Sequence, residues 1–276
     1  MKRTTPSFSH IQSGFTIIEL LVVVAIIALL MALILPALAK ARMVAERGQC
    51  LSNMYQISVA SSIYQDEHSD FMPIGRPIRG ISNYNHGGRY PVKASRIGRG
   101  FTRKPIDRPL NAYVHPNLPL GKTAKLEDLE NYRKFNFPAF HCPSDSEYNY
   151  QENWSQSEIR YGLSAYLAVG TSYFFNLAWY GMNDWAYSDI AEPYDWSEGI
   201  RAFRRGRLVY PSRFVAFYDD PADFHISRRR SPFFTHHNVK DQHAMGFLDA
   251  HAEFVTYDAT NPVNGHYAIL FPEQVE

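Results

Sequence analysis

The chain has 276 residues, 45% of them apolar and 14% aromatic, which is enough for one or two packed domains. Lys and Arg number 28 against 27 Asp and Glu, so net charge gives no reason to expect a nucleic-acid partner. Two cysteines, Cys50 and Cys142, exclude a disulfide-rich scaffold, and with no CxxC there is no zinc-ribbon spacing.

Residues 1–14 form a short leader with Lys2 and Arg3 near its start. From Phe15 to Leu35 there is a single charge, Glu19. At about 1.5 Å per residue that run makes about 31 Å of helix, close to the hydrocarbon thickness of a bilayer. A buried core helix of this length would show a polar face, and none is visible. The run therefore predicts a transmembrane helix over 15–35. Two processing readings compete. Ala37-Leu38-Ala39 fits a small-x-small signal-peptidase site. That reading needs an apolar region longer than the usual range of about 7–15 residues, and it leaves Glu19 unexplained. The other reading cuts after Gly14 and keeps the span, so that Phe15 becomes the new N-terminus. A carboxylate within a span costs about 2.5–3.5 kcal/mol or more unless it is paired. The bland account of Glu19 is a side chain snorkelling to the interface near the helix start.

Gly14-Phe15-Thr16-Ile17-Ile18-Glu19-Leu20-Leu21-Val22-Val23 resembles the cleavage and methylation site of type IV pilins and type II secretion pseudopilins. The resemblance implies that a prepilin peptidase cuts after Gly14 and methylates the Phe15 amine. It also implies that Glu19 pairs with the N-terminal amine of a neighbouring subunit during assembly, fixing a one-subunit step. Pro36 matches a proline common in these helices and is carried over as an assembly residue. Lys40, Arg42 and Arg47 follow the span, so charge bias does not itself place the N-terminus inside. The family implies a single-pass inner-membrane protein with its head in the periplasm. Its filament would be periplasmic or at the cell surface. The implied partners are prepilin peptidase, other pilin or pseudopilin subunits and the inner-membrane assembly platform.

Beyond the span, the helix is expected to continue over 36–68 and stop near His68-Ser69-Asp70, ahead of Pro73. Met43, Cys50, Met54, Ile57 and Tyr64 fall on one stripe, with Leu51, Tyr55, Val59 and Ile63 beside it. Gln49 and Asn53 lie off this face. Pro36 and Gly48 are candidate bends. Cys50 to Ile57, Tyr64-Gln65-Asp66 and Phe71-Met72-Pro73 sharpen the resemblance. They are similar to pseudopilin-like proteins that end in a His-x9-Asp-Gly motif.

Residues 69–276 are read as one globular head. From Arg76 to Arg108 there are nine Lys/Arg and one acid, a solvated loop or a docking patch. Asn183 to Glu198 is acidic. Cys142-Pro143-Ser144-Asp145 matches a recurrent motif of the same family and predicts a turn. Cys50 and Cys142 are either one bridge, which would tie this turn to the long helix, or two buried thiols. Tyr148 to Trp196 is dense in aromatic residues, read as core or as a sugar-stacking surface. Tyr161 to Ser164 and Ser172-Tyr173 read as strand and turn. Pro211 to Asp219 reads as a loop entering a buried strand. Ala244 to Leu248 and Ala252 to Tyr257 read as a hairpin turning at Asp249-Ala250-His251. His237, Asn238, Asp249, His251 and Glu253 carry the match to the family's C-terminal ending. This chain departs from that ending in two ways: Ala250 stands where Gly is usual, and eleven residues rather than nine separate His237 from Asp249.

His236, His237, Asp241, His243, Asp249 and His251 make a donor set of transition-metal type. Their spacing matches no helical HExxH arrangement, and structural hydrogen bonding is the competing reading. His237, His243, Asp249 and His251 are kept as weak metal candidates. No cofactor and no catalytic residue are expected. The expected fold is α+β: a long N-terminal transmembrane helix whose upper half packs on an antiparallel sheet. The expected role is a non-enzymatic filament subunit. The alternative is a membrane-anchored carbohydrate- or metal-binding surface protein that uses the pilin export route.

Overall fold

The computed structural model describes residues 16–74, 86–89, 105–117, 136–145, 164–180, 187, 189–228, 236–237 and 239–275. The leader, Gly14, Phe15, Asn238, Tyr161 to Leu163 and most of the basic segment lie outside the described residues. The chain divides into two compact units, residues 1–45 and 46–276.

One helix, α1 (Ile17–Glu67), runs through Pro36 and contributes to both units. In the first unit its apolar side chains are exposed all round, from Ile17 to Leu38. By length and composition it is apolar enough to cross a membrane. It ends where Ser69 and Asp70 adopt positive φ, 55° and 60°. Two short helices follow in the described residues, α2 (Asn111–Val114) and α3 (Ala165–Ala168). Two longer ones are α4 (Trp196–Val209) and α5 (Asp220–Arg228). The strands are β1 (Tyr173–Phe175), β2 (Val215–Asp219), β3 (Gln242–Phe247) and β4 (Ala252–Thr256). They form one antiparallel sheet in the order β1-β2-β3-β4. The α+β reading therefore holds.

Within the second unit, the upper part of α1 packs on the sheet. A Cβ added at Gly246 of β3 would lie 2.3 Å from Ser58 Oγ and 3.0 Å from Met54 Cγ, so the helix seats directly on a strand without a side chain at that point. The buried helix face differs from the predicted stripe. Cys50, Met54 and Ile57 are buried as expected, but Tyr55 and Ile63 are exposed, and Asn53, Ser58, Ser61 and Gln65 are buried instead. Short and amide side chains permit a separation that a stripe of bulky residues would prevent. Asn53, expected off the face, donates from Nδ2 to the carbonyls of Pro138 (3.2 Å) and His141 (2.8 Å). A buried amide is tolerated because it is bonded in this way.

Ser164 opens a helix, not a strand: its Oγ accepts from Leu167 N and caps α3. α4 begins with a capping box in which Asp195 accepts from Glu198 N and Glu198 Oε2 accepts from Asp195 N. This box places part of the acidic stretch at a helix start, where negative charge is favourable. Arg207 of α4 pairs with Asp66 and Asp70 at the end of α1. Many of the described aromatic residues supply core. Tyr166, Tyr173, Phe174, Phe175, Trp179 and Tyr187 are all buried, and Phe214 stacks on Phe271 at 4.4 Å. Two arginines of the basic stretch also point inward. Arg108 is buried and donates to the carbonyls of Gly87 and Val169, and Arg89 lies over the Tyr166 ring.

The β3–β4 hairpin turns where the alternation predicts, and Ala250 takes φ +72°. The glycine usual at this position would adopt that angle without a steric penalty, whereas alanine adopts it at a cost. Ala250→Gly is expected to raise stability by about 1 kcal/mol, read as an upward shift in the chemical denaturation midpoint. A lowered midpoint would contradict the backbone account of this turn.

Candidate functional site

Two places carry chemistry. The first is the start of α1. Thr16 N and Thr16 Oγ1 both donate to Glu19 Oε2 at 2.8 Å, and Glu19 N donates to Thr16 Oγ1 at 3.2 Å. This is a reciprocal capping box written by Thr-x-x-Glu. It gives the acid in the apolar run local partners, a role that the sequence pattern contained but the resemblance overshadowed.

The second place is a buried polar seam in the head, built where α1, the 141–145 turn, β2, α5 and β3 meet. Each polar residue of Cys142-Pro143-Ser144-Asp145 has a partner. Cys142 is joined to Cys50 of α1 by a disulfide. Ser144 Oγ donates to Glu46 Oε2 at 2.9 Å. Asp145 accepts from Ala165 N and Tyr166 N, both at 2.9 Å, and from Ser172 Oγ at 2.6 Å. Its carboxylate thus caps α3 and fixes the entry to β1.

Asp219 ends β2 and occupies the centre of the seam. Its Oδ1 accepts from Ala222 N at 3.1 Å, in the first turn of α5, and its Oδ2 accepts from Ala244 N at 3.0 Å. His243 Nδ1 lies 3.0 Å from Oδ1, and His243 Nε2 lies 3.0 Å from His225 Nδ1. Asp219, His243 and His225 therefore form a buried chain from sheet to helix. Burial alone would raise the Asp219 carboxyl. The opposing influence of His243, with His236 and the Ala244 N–H, holds it below the usual carboxylate range. His236 Nε2 lies 3.8 Å from Asp145 Oδ1 and 4.0 Å from Asp220 Oδ2. His237 Nε2 lies 3.6 Å from Cys142 Sγ, and its ring meets Phe254 edge-on at 5.2 Å. Burial pushes His237 down to about 4.

His225 is likewise pushed down to about 4, chiefly by burial and then by His243, against the opposing carboxylates of Asp241, Asp258 and Asp219. An unfolded histidine titrates near 6.5. Between about pH 6.5 and 4 the unfolded chain therefore binds more protons than the folded one, and stability falls as pH is lowered through that window. The denaturation midpoint is expected to decline from pH 7 to pH 4, and His225→Phe is expected to flatten the decline. A level wild-type profile over that range would contradict the burial of a neutral His225.

The weak metal candidates are dispersed. His243 is tied to Asp219. Asp249 and His251 bond each other at 2.5 Å at the hairpin tip, where the His251 ring stacks on Phe247. His237 sits against the disulfide. Among the described residues, the group of donors close enough to hold one ion is Cys50, Cys142 and His237. Sequence reading missed this trio because 95 residues separate Cys142 from His237.

A long N-terminal apolar helix, together with a four-stranded antiparallel sheet, fits the fold of a type IV pilin-like protein. More particularly, the family model for the prokaryotic N-terminal methylation motif matches residues 9–35. That motif indicates a pilin or pseudopilin type of protein processed by prepilin peptidase, and the apolar helix has the length and composition of a membrane anchor. No curated protein and no solved structure matches the chain.

Proposed function

We propose that this chain is a non-enzymatic structural subunit. Prepilin peptidase cuts it after Gly14 and methylates Phe15. It then assembles with other such subunits, through the inner-membrane platform, into a type II secretion or type IV pilus-like filament. The head is periplasmic before assembly. The observation that carries this reading is the coincidence of the methylation motif over residues 9–35 with an exposed apolar helix holding one acid, Glu19. In a filament, the Phe15 amine of a neighbouring subunit would compete with Thr16 for the Glu19 carboxylate. An ammonium is the stronger donor, so assembly has a defined driving contact. Burial of Tyr166, Tyr173, Trp179 and Tyr187 favours this role over a sugar-stacking surface.

N-terminal mass spectrometry of the membrane-extracted protein tests the reading. The expected mature start is N-methyl-Phe15. A start at Lys40, after ordinary signal-peptide cleavage, would end the proposal.

A further inference from the structure

The disulfide has a third neighbour that a simple cross-link does not need. Cys50 and Cys142 are fully buried, and His237 reaches the Cys142 sulfur with Nε2. Its ring is held edge-on by Phe254, so that nitrogen faces sulfur. The three donor atoms lie within 4.8 Å of one another.

Tetrahedral zinc has Zn–S bonds of about 2.3 Å and Zn–N bonds of about 2.0–2.1 Å, which put neighbouring S and N donors about 3.5 Å apart and two sulfurs about 3.8 Å apart. The Cys142 Sγ to His237 Nε2 distance is 3.6 Å. One edge of a zinc polyhedron is therefore already at its required length. The two sulfurs must separate from bonded contact to non-bonded distance, with Cys50 Sγ settling about 3.5 Å from Nε2, and side-chain rotation can provide that. Two thiolates and a neutral imidazole around a divalent cation sum to zero charge, which suits a buried position.

We propose that the Cys50–Cys142 bridge and a zinc-type site are alternative closures of the same seam. When the bridge is reduced, Cys50 Sγ, Cys142 Sγ and His237 Nε2 hold one soft divalent cation and leave a fourth position open. The interconversion balances. A dithiol reductant donates two electrons and two protons, breaking the S–S bond to give two thiols, and is itself oxidised to a disulfide. Zinc then binds with release of the two thiol protons to solvent. The cation keeps α1 tied to the 141–145 turn while the covalent link is absent. This site is separate from the notion of a filament subunit, and either can fail without the other.

The test uses the full-length protein in detergent. It is reduced with a phosphine, freed of metal and titrated with Zn2+ against a chromophoric chelator, with Co2+ as a spectroscopic probe. The reduced protein is expected to bind one zinc and to show thiolate-to-cobalt charge-transfer absorption, while the oxidised protein shows neither. His237→Ala is expected to weaken zinc binding at least tenfold while still forming the bridge. Should reduction unfold the head, zinc is expected to restore its native circular dichroism. Failure of the reduced protein to bind or refold with zinc, equal binding by the oxidised protein, or unchanged affinity in His237→Ala would each overturn the proposal.

Discussion

Replacing Asp219 with alanine is expected to lower the stability of the head by about 3–5 kcal/mol, the scale set when several buried donors lose one shared acceptor. Three donors lose their acceptor at once: the backbone N–H groups of Ala222 and Ala244 and the Nδ1 of His243. None can turn to water, because the strand end, the helix start and His243 are all buried. Orphaned buried donors each cost about 1–3 kcal/mol, so the loss is not confined to one bond. Asp219→Asn keeps the shape and one acceptor oxygen but sets an NH2 against a donor, and it should fall between wild type and alanine. Equilibrium denaturation in urea measures both. Whole domains are stable by only about 5–15 kcal/mol, so a loss below 1 kcal/mol would mean that the seam is not the structural centre described above.

The disulfide should matter almost as much. It joins residues 92 positions apart, and a loop of that length is worth about 4–5 kcal/mol on chain entropy alone, with measured removals costing about 2–5 kcal/mol. Cys50→Ala with Cys142→Ala is expected to lower stability by about 3–5 kcal/mol in metal-free buffer. Reduction of the wild type under the same conditions should match it within about 1 kcal/mol, apart from the packing of two sulfurs. If neither treatment shifts the denaturation midpoint, the loop is held by other contacts and the cross-link account is wrong.

The long helix and the hairpin were the legible parts of this fold. Twenty-one residues with one charge admit few folded states, and the alternation in residues 244–257 marks strands directly. The face that α1 buries was legible only in part: Cys50, Met54 and Ile57 lie inside as their spacing indicates, while Tyr55 and Ile63 beside them do not. Nothing local says that Gly246 will lie against Ser58 and Met54, or that Asn53 will meet the carbonyls of Pro138 and His141. α4 and α5 announced themselves only through caps: the Asp195 to Glu198 box, and Asp219 ahead of Pro221, a residue suited to a helix start. Such signals occupy four residues and are outweighed by aromatic-rich composition. The candidate site was least legible. The histidines clustered in sequence are pulled to three different places, while the trio at the disulfide is assembled from α1, a turn and a loop.

The position of Cys50 also has a mechanical consequence. α1 enters the second unit at Glu46, and the cross-link follows about one helical turn later. Tension applied along the N-terminal helix therefore reaches a covalent bond before it reaches the packing of Met54, Ile57 and Gln65. The load passes through Cys142 to the turn whose Asp145 grips α3 and the β1 entry. Peeling the helix from the sheet one turn at a time, the low-force way to detach an anchor from its head, is closed at its first step.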